Sequence, residues 1–133
     1  MTTPSPEIII ALRQPWLALI LHRTKTAELR RTHPTYIPDR LYLYHRGCLH
    51  GHADVEAWDT HSTHRQLAAI FGDRLCMSRP RILEYLDGAT TPIVYVLTNI
   101  TTYPLPIPIP KKPQSWIYMT PEIRALIPEQ YLP

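Results

Sequence analysis

Five polar side chains lie close together in the first quarter of the chain: Lys25, Thr26, Glu28, Arg30 and Arg31. If residues 27–31 are extended, Glu28 and Arg30 point to one face of the strand and Arg31 points to the other. On that face, arginine can bind a phosphate or base edge through two hydrogen bonds, lysine can act as a point charge, and glutamate can accept from an exocyclic amine. The cluster therefore predicts a site for a phosphate or a base.

The same cluster has two other interpretations. A partly desolvated Lys25 could act as a base, with Thr26 as a nucleophile or orienting hydroxyl and Glu28 as a further catalytic group. In the plainest interpretation, Glu28 only pairs with Lys25 or Arg30 at the surface, which contributes about 0–1 kcal/mol. The residues alone leave these alternatives open.

A second group of side chains has the chemistry of zinc ligands, namely Cys48, His50, His52, His61, His64 and Cys76. Their spacing matches no strong zinc signature. Asp54 and Glu56 would share the strand face of His50 and His52, which indicates a solvent-exposed face. We therefore expect no metal and no cofactor.

The net charge of +3 is unevenly distributed. Residues 1–50 carry seven basic side chains against three acidic ones, a balance of +4, whereas residues 51–133 have a balance of −1. A basic amino-terminal segment suggests a polyanionic or phosphorylated partner, although ordinary scatter of surface charge would look the same.

Composition excludes several classes of protein. The chain has 15 prolines and only 4 glycines, so it lacks the Gly-rich loops that bind phosphates. Its apolar runs are far shorter than the roughly 18 residues that span a bilayer, and its first residues do not resemble a secretory signal. Two cysteines cannot form a disulfide framework. We expect a cytoplasmic protein with no membrane partner.

Hydrophobic patterns predict one α+β domain over residues 1–133, with residues 1–7 as a short flexible lead. Strands are expected at 8–12, 27–31, 40–46, 48–58, 93–97 and 100–109, and helices at 16–21, 62–71, 80–86 and 121–126. Gly72 is expected to end the second helix. In strand 48–58, strict alternation would place Leu49 and Ala53 on one face and His52 on the other. Together these strands and helices predict a partly open β-barrel of about five or six strands, flanked by two or three helices.

Two segments together resemble the ASCH domain family, small relatives of the PUA-like barrels. The first is Gln14-Pro15-Trp16-Leu17-Ala18-Leu19-Ile20-Leu21, followed by Lys25-Thr26-Ala27-Glu28-Leu29-Arg30. The second runs from Val96-Leu97-Thr98-Asn99 through Pro104-Leu105-Pro106-Ile107-Pro108-Ile109-Pro110-Lys111-Lys112 to Trp116. Two family glycines are replaced, by Arg23 and Pro113, so the chain should turn differently at these two points.

The resemblance implies a small PUA-like barrel whose cleft is lined by the Lys25–Arg30 motif. It also implies that His45 and Arg46, at the end of a neighbouring strand, extend a basic cleft, and that Lys112 adds a phosphate contact. Tyr42 or Tyr44 could offer a stacking face for a base. Trp16 and Trp116 are expected mainly to pack.

The leading interpretation of the whole sequence is an RNA- or nucleotide-binding ASCH domain that holds a base or nucleoside at Lys25, Glu28, Arg30 and Arg31. An alternative implied by some relatives is a small hydrolase, either an N4-acetylcytidine amidohydrolase or a ribonuclease, with Glu84 or Glu56 as a candidate later acid. A third is a non-catalytic adaptor that offers the proline tract 105–110 to a protein partner. The oligomeric state is left open.

Overall fold

A computed structural model describes residues 6–132 of the chain. Its strands are β1 (Ile8–Ala11), β2 (Ala27–Arg30), β3 (Arg40–His45), β4 (Cys48–Asp59), β5 (Ile93–Pro108) and β6 (Trp116–Tyr118). Its helices are α1 (Trp16–Leu21), α2 (His64–Leu75), α3 (Arg79–Leu86) and α4 (Pro121–Arg124), followed by a 3-10 turn at Glu129–Tyr131.

The six strands form one curled sheet in the order β2-β5-β4-β3-β1-β6. β1 pairs with β3 in parallel, and the other neighbours pair antiparallel. The predicted α+β half-barrel is therefore confirmed. The described residues contain four α-helices, at the four places where helices were expected, whereas β6, a three-residue strand, was not predicted.

Alternation along β3 divides the apolar side chains between two cores. Leu41 and Leu43 pack beneath α1, and this cluster is called the α1 core. Tyr42 and Tyr44 pack on the opposite face of the sheet, together with Ile123 of α4, in the α4 core. This division follows the sequence, because successive residues of a strand point to opposite faces. A third cluster fixes α2 and α3 against β2 through residues such as Leu29.

The predicted alternation of β4 is wrong because the strand is irregular. The pairing of β4 with β5 shifts register between Leu49 and Gly51, so Leu49 packs in the α4 core while Ala53 packs in the α1 core. His52 consequently shares a face with Leu49 and is only 2% exposed, rather than solvated as expected. A Cβ on Gly51 would lie 2.2 Å from the Thr101 carbonyl oxygen, which explains the glycine at this irregularity.

Two predicted boundaries are also wrong. Gly72 lies inside α2, which continues to Leu75 and ends at Cys76 in a left-handed conformation (φ 57°). The two predicted strands 93–97 and 100–109 form one strand, β5, of 16 residues. Because β2 pairs only with residues 93–96, the proline-rich end of β5 has β4 alone as its neighbour, and proline is tolerated at such an edge.

Of the lead predicted at residues 1–7, residues 1–5 lie outside the described part of the chain. Glu7 does not belong to a flexible lead, because its carboxylate forms ion pairs with Arg124 and Arg40 and accepts a hydrogen bond from the Tyr42 hydroxyl. Among residues 6–132, there is no helix long and apolar enough to cross a membrane.

Candidate functional site

A cavity of about 470 Å³ opens between α1, β2, α3 and the segment before β6. Its polar lining comes from four separate parts of the chain: Arg13, Lys25, Glu28, Arg30, Arg81, Gln114 and Ser115. Trp16 and Tyr85 supply aromatic walls. The structure thus brings together the three residues expected at the centre of the site, Lys25, Glu28 and Arg30.

Lys25 lies in the wall of this cavity and is only 2% exposed. Its Nζ donates to the carbonyl oxygen of Leu75, at the end of α2, over 2.9 Å. Burial lowers the pKa of Lys25, and the neighbouring Glu28 carboxylate partly offsets this effect. A lysine whose charged form is disfavoured in a cavity is suited to proton transfer as well as to binding.

Glu28 is held between two cations. One carboxylate oxygen lies 3.4 Å from Lys25 Nζ and the other accepts from Arg30 Nε over 3.0 Å. Arg30 also donates to the carbonyl oxygen of Ala11 and, over 3.4 Å, to Ser115 Oγ. Three of its five N–H groups are therefore committed to the protein, so Arg30 chiefly positions Glu28 rather than standing free as a phosphate fork. The interpretation of Glu28 as an exposed surface ion pair is wrong, since the carboxylate is buried.

The Trp16 ring lies close to both the buried Lys25 and the exposed Arg81 of the cavity. Lys25 Nζ lies 5.2 Å from the centroid of the Trp16 ring, and the Arg81 guanidinium carbon lies 5.1 Å from it. Both distances fall within the range of cation–π attraction. Trp16 thereby fixes the position of two cations.

Two predicted members of the cluster lie outside the cavity lining. Thr26 does not lean over the Glu28 face, because its hydroxyl accepts from Arg74 Nε of α2 over 2.9 Å. Arg31 points to the other face of β2, as expected, and donates to the carbonyl oxygens of Tyr85 and Asp87 at the end of α3. Both residues therefore fasten helices to β2.

The other three candidate residues also lie outside the lining. The His45 Nδ1 is 2.8 Å from the carbonyl oxygen of Leu12, so the histidine supports a residue of the cavity wall. Arg46 is exposed in the turn between β3 and β4, where its φ is 46°. Lys112 is exposed two residues before Gln114.

Sequence reasoning missed Arg13, Arg81, Tyr85, Gln114 and Ser115 as lining residues. Arg81 and Tyr85 are four residues apart on α3, a spacing that places both on one helix face and was available as a signal. Gln114 and Ser115 carried no such signal, because the sequence does not reveal that β6 returns beside β1.

The first departure from the family pattern is resolved without a different turn. α1 ends at Leu21, and Arg23 itself adopts the left-handed conformation (φ 62°) that glycine would take. The expectation of an altered turn at this residue is therefore wrong. At the second departure, Pro113 is buried, directly before the two residues that enter the cavity lining.

The candidate metal ligands are dispersed. His52 is paired with Tyr103, His64 lies 3.0 Å from the carbonyl oxygen of Ala89, and Cys76 contacts the carbonyl oxygen of Thr24. Within residues 6–132, His, Cys, Asp and Glu form no group of three or more that could hold a metal ion.

Comparison with known proteins agrees with this fold. The ASCH domain model matches residues 10–103, which span β1 to most of β5 and include Lys25, Glu28 and Arg30. The chain belongs to the ASCH domain family, which is known to bind RNA. A search of the curated proteins finds no match.

Solved structures share the fold. The crystal structure of ASCH from Zymomonas mobilis is 22% identical, with a TM-score of 0.74 over 90% of this chain and 92% of that one. A serine-to-alanine variant of the same protein gives 21% identity and a TM-score of 0.75 over 93% and 95% of the two chains. A tyrosine-to-phenylalanine variant gives 21% identity and a TM-score of 0.73 over 90% of this chain and 94% of that one.

Proposed function

We propose that this chain binds single-stranded RNA and holds one nucleoside of it in the cavity built on Lys25, Glu28 and Arg30. The observation that carries the proposal is the order of groups from rim to floor. Exposed cations lie at the entrance, aromatic rings line the walls, and a buried carboxylate flanked by two cations lies at the bottom. Phosphate, base face and base edge would meet these groups in that order.

Affinity would come mainly from Arg13 and Arg81, which are exposed at the rim. Neither guanidinium forms an ion pair with a residue of the described part of the chain. Both are therefore available to phosphate oxygens. This differs from the assignment of phosphate binding to Arg30, whose guanidinium is engaged by Glu28, Ala11 and Ser115.

Selectivity for a base would come from Glu28 at the floor of the cavity and from polar and aromatic groups of its lining. Glu28 offers an acceptor, and Gln114 and Ser115 offer groups that both donate and accept. Tyr85, which is 36% exposed, offers a face for stacking. A modest net charge of +3 suits a short single strand better than a long duplex.

The test is fluorescence anisotropy with a labelled single-stranded RNA of about eight nucleotides, measured across a series of salt concentrations. Arg13→Ala and Arg81→Ala should each weaken binding and reduce the salt slope by about 0.7, the value for one lost phosphate contact on a single strand. Arg65→Ala, an equally exposed arginine on α2 outside the cavity, is the matched control. Unchanged affinity in the Arg13→Ala/Arg81→Ala double variant would contradict the proposal.

A second candidate function is hydrolysis, favoured by the lowered pKa of Lys25 in the cavity wall. In this reading Lys25 acts as a base on water, which attacks the acetyl carbon of N4-acetylcytidine. The C–N bond breaks as Lys25 returns the proton to the departing N4, and acetic acid and cytidine leave. Of the acidic side chains in the described residues, only Glu28 lines the cavity, so it replaces Glu84 and Glu56 as the acid available to Lys25.

Incubation with N4-acetylcytidine, followed by chromatography for cytidine, tests this second function. A labelled RNA run on a denaturing gel tests the ribonuclease alternative in the same preparation. Turnover by the native chain that is lost in Lys25→Met would support hydrolysis. Absence of both products at high protein concentration would leave binding as the function.

The adaptor interpretation has less support. Residues 104–108 belong to β5, and Ile107 is buried in the α4 core, so most of the proline tract is built into the sheet. Leu105 is 73% exposed, and Pro104, Pro106 and Pro108 are exposed as well, so these side chains are the accessible part of the tract.

A further inference from the structure

A second cavity, of about 340 Å³, lies on the α4 face of the sheet, opposite the face that carries Glu28. Its lining includes Arg40, His52, Asp54, Asn99 and Thr101. Arg40 and Asp54 are cross-strand partners, and so are Tyr42 and His52, so Arg40, His52 and Asp54 share one face of β3 and β4. The volume falls in the range of small-molecule sites, roughly 300–1,000 Å³.

His52 presents one defined group to this cavity. It is 2% exposed, and its Nδ1 lies 2.8 Å from the hydroxyl of Tyr103, which is itself 3% exposed. No other partner of the Tyr103 hydroxyl occurs among residues 6–132, so the hydroxyl must donate to Nδ1 to satisfy its own proton. The neutral imidazole therefore carries its proton on Nε2, and this N–H has no partner among the same residues.

Asp54 presents the complementary group. One of its oxygens accepts from Arg40 Nε over 2.9 Å and the other accepts from Asn99 Nδ2 over 3.2 Å. Each oxygen retains a second lone pair. The side chain is 30% exposed, so an incoming donor can reach it.

Charge argues for a neutral ligand. Arg40 is balanced by Asp54, and the adjoining Arg124 is balanced by Glu7. An anion would gain no net attraction there and would face two carboxylates. His52 and Asp54 lie on one strand face and line the same cavity, where one offers an N–H and the other an acceptor oxygen. A neutral group that pairs with both must carry an acceptor such as a carbonyl oxygen together with an N–H donor, as the edge of a lactam does.

We propose that this second cavity binds the lactam edge of a nucleobase such as uracil, with His52 Nε2 donating to the carbonyl oxygen and Asp54 accepting from the ring N–H. Thr101 also lines the cavity and contributes a hydroxyl. Because the cavity lies on the opposite face of the sheet from the Lys25 cavity, it is a separate site and does not depend on the function proposed above.

The test is a titration of the ¹⁵N-labelled chain with uridine, followed by NMR. Amide signals of His52, Asp54 and Thr101 should move on addition of uridine. Cytidine is the matched control ligand, because its ring nitrogen at the same edge carries no proton, and it should bind at least about tenfold more weakly at these signals. Asp54→Asn should weaken uridine binding by about tenfold, whereas Asp39→Asn, an exposed aspartate outside the cavity, should not.

The outcomes separate the two sites. Movement confined to Lys25 and Ser115 would overturn this proposal and leave the function of the first cavity standing. Equal responses to uridine and cytidine at His52 would also overturn it. If Asp54→Asn does not fold, Thr101→Tyr takes its place, because the larger side chain fills part of the cavity. The response of the native chain to uridine decides in either case.

Discussion

The carboxylate of Glu28 and the ammonium of Lys25 form an ion pair of 3.4 Å in which the two side chains are 8% and 2% exposed. A buried pair of this kind is costly to form, yet removing one partner costs more because it leaves the other charge unpaired. Arg30 shares the same carboxylate. The stability of the chain and the chemistry of the first cavity therefore depend on one acidic residue.

We predict that Glu28→Gln lowers the free energy of unfolding by about 3 kcal/mol, because Lys25 and Arg30 lose their only shared counter-charge. Urea denaturation measures this. Glu56→Gln, on an exposed part of β4, should change stability by less than about 0.5 kcal/mol. Equal effects of the two substitutions would mean that the Glu28 carboxylate is hydrated in solution.

Much of this arrangement could be predicted from the sequence. The alternation of Leu41 and Leu43 with Tyr42 and Tyr44 fixes the facing of β3, because successive strand residues point to opposite sides. The grouping of Lys25 with Glu28 follows from their separation of three residues. Such features depend on near neighbours, whose geometry is set by the local backbone.

The missed features depend on distant contacts. The irregularity in β4 arises where Gly51 meets the backbone of Thr101, and no local pattern reveals a contact across 50 residues. The same holds for Gln114 and Ser115, which reach the first cavity from the segment before β6. At Gly72 the local pattern gave a wrong prediction. Glycine was expected to end α2, but packing of α2 against α3 keeps the helix intact to Leu75.

His52 should make stability depend on pH. Burial and the nearby Arg40 charge lower the pKa of His52 from 6.5 to about 4. The unfolded chain therefore binds the extra proton first, and stability falls as the pH decreases from 6.5 to 4, by about 3 kcal/mol at the lower limit. Chemical denaturation at several pH values should show this loss in the native chain and a much flatter profile in His52→Gln. His61→Gln, at an exposed site, should keep the native profile.

Gly72→Ala should stabilise the chain by about 0.5–1 kcal/mol, because alanine favours an α-helix interior more than glycine. The added Cβ would lie 3.7 Å from the nearest atom, the Met77 carbonyl oxygen, which is an ordinary contact. Gly51→Ala should have the opposite effect, a loss of about 2 kcal/mol, since its Cβ would overlap the Thr101 carbonyl oxygen. Thermal melting of the two variants gives the comparison, and a shift of the same sign in both would contradict it.

Arg23 offers a test of backbone strain. A non-glycine residue at φ 62° carries about 1 kcal/mol of strain. Arg23→Gly should therefore be more stable than Arg23→Ala by about 1 kcal/mol. Both variants lose the hydrogen bond from the guanidinium to the Ile100 carbonyl oxygen, so their difference isolates the backbone. Equal melting temperatures would show that the turn relaxes when the side chain is removed.

The sequence separation between the buried charged side chains and their partners also limits the order of folding during synthesis. Lys25 donates to Leu75, which lies 50 residues later, and Arg30 donates to Ser115, which lies 85 residues later. At about 5–20 residues per second, a ribosome needs roughly 4 to 17 s to travel from Arg30 to Ser115. Until then the amino-terminal third exposes its charged motif to water without the groups that enclose it. The first cavity is thus one of the last parts of the domain to be completed on the ribosome.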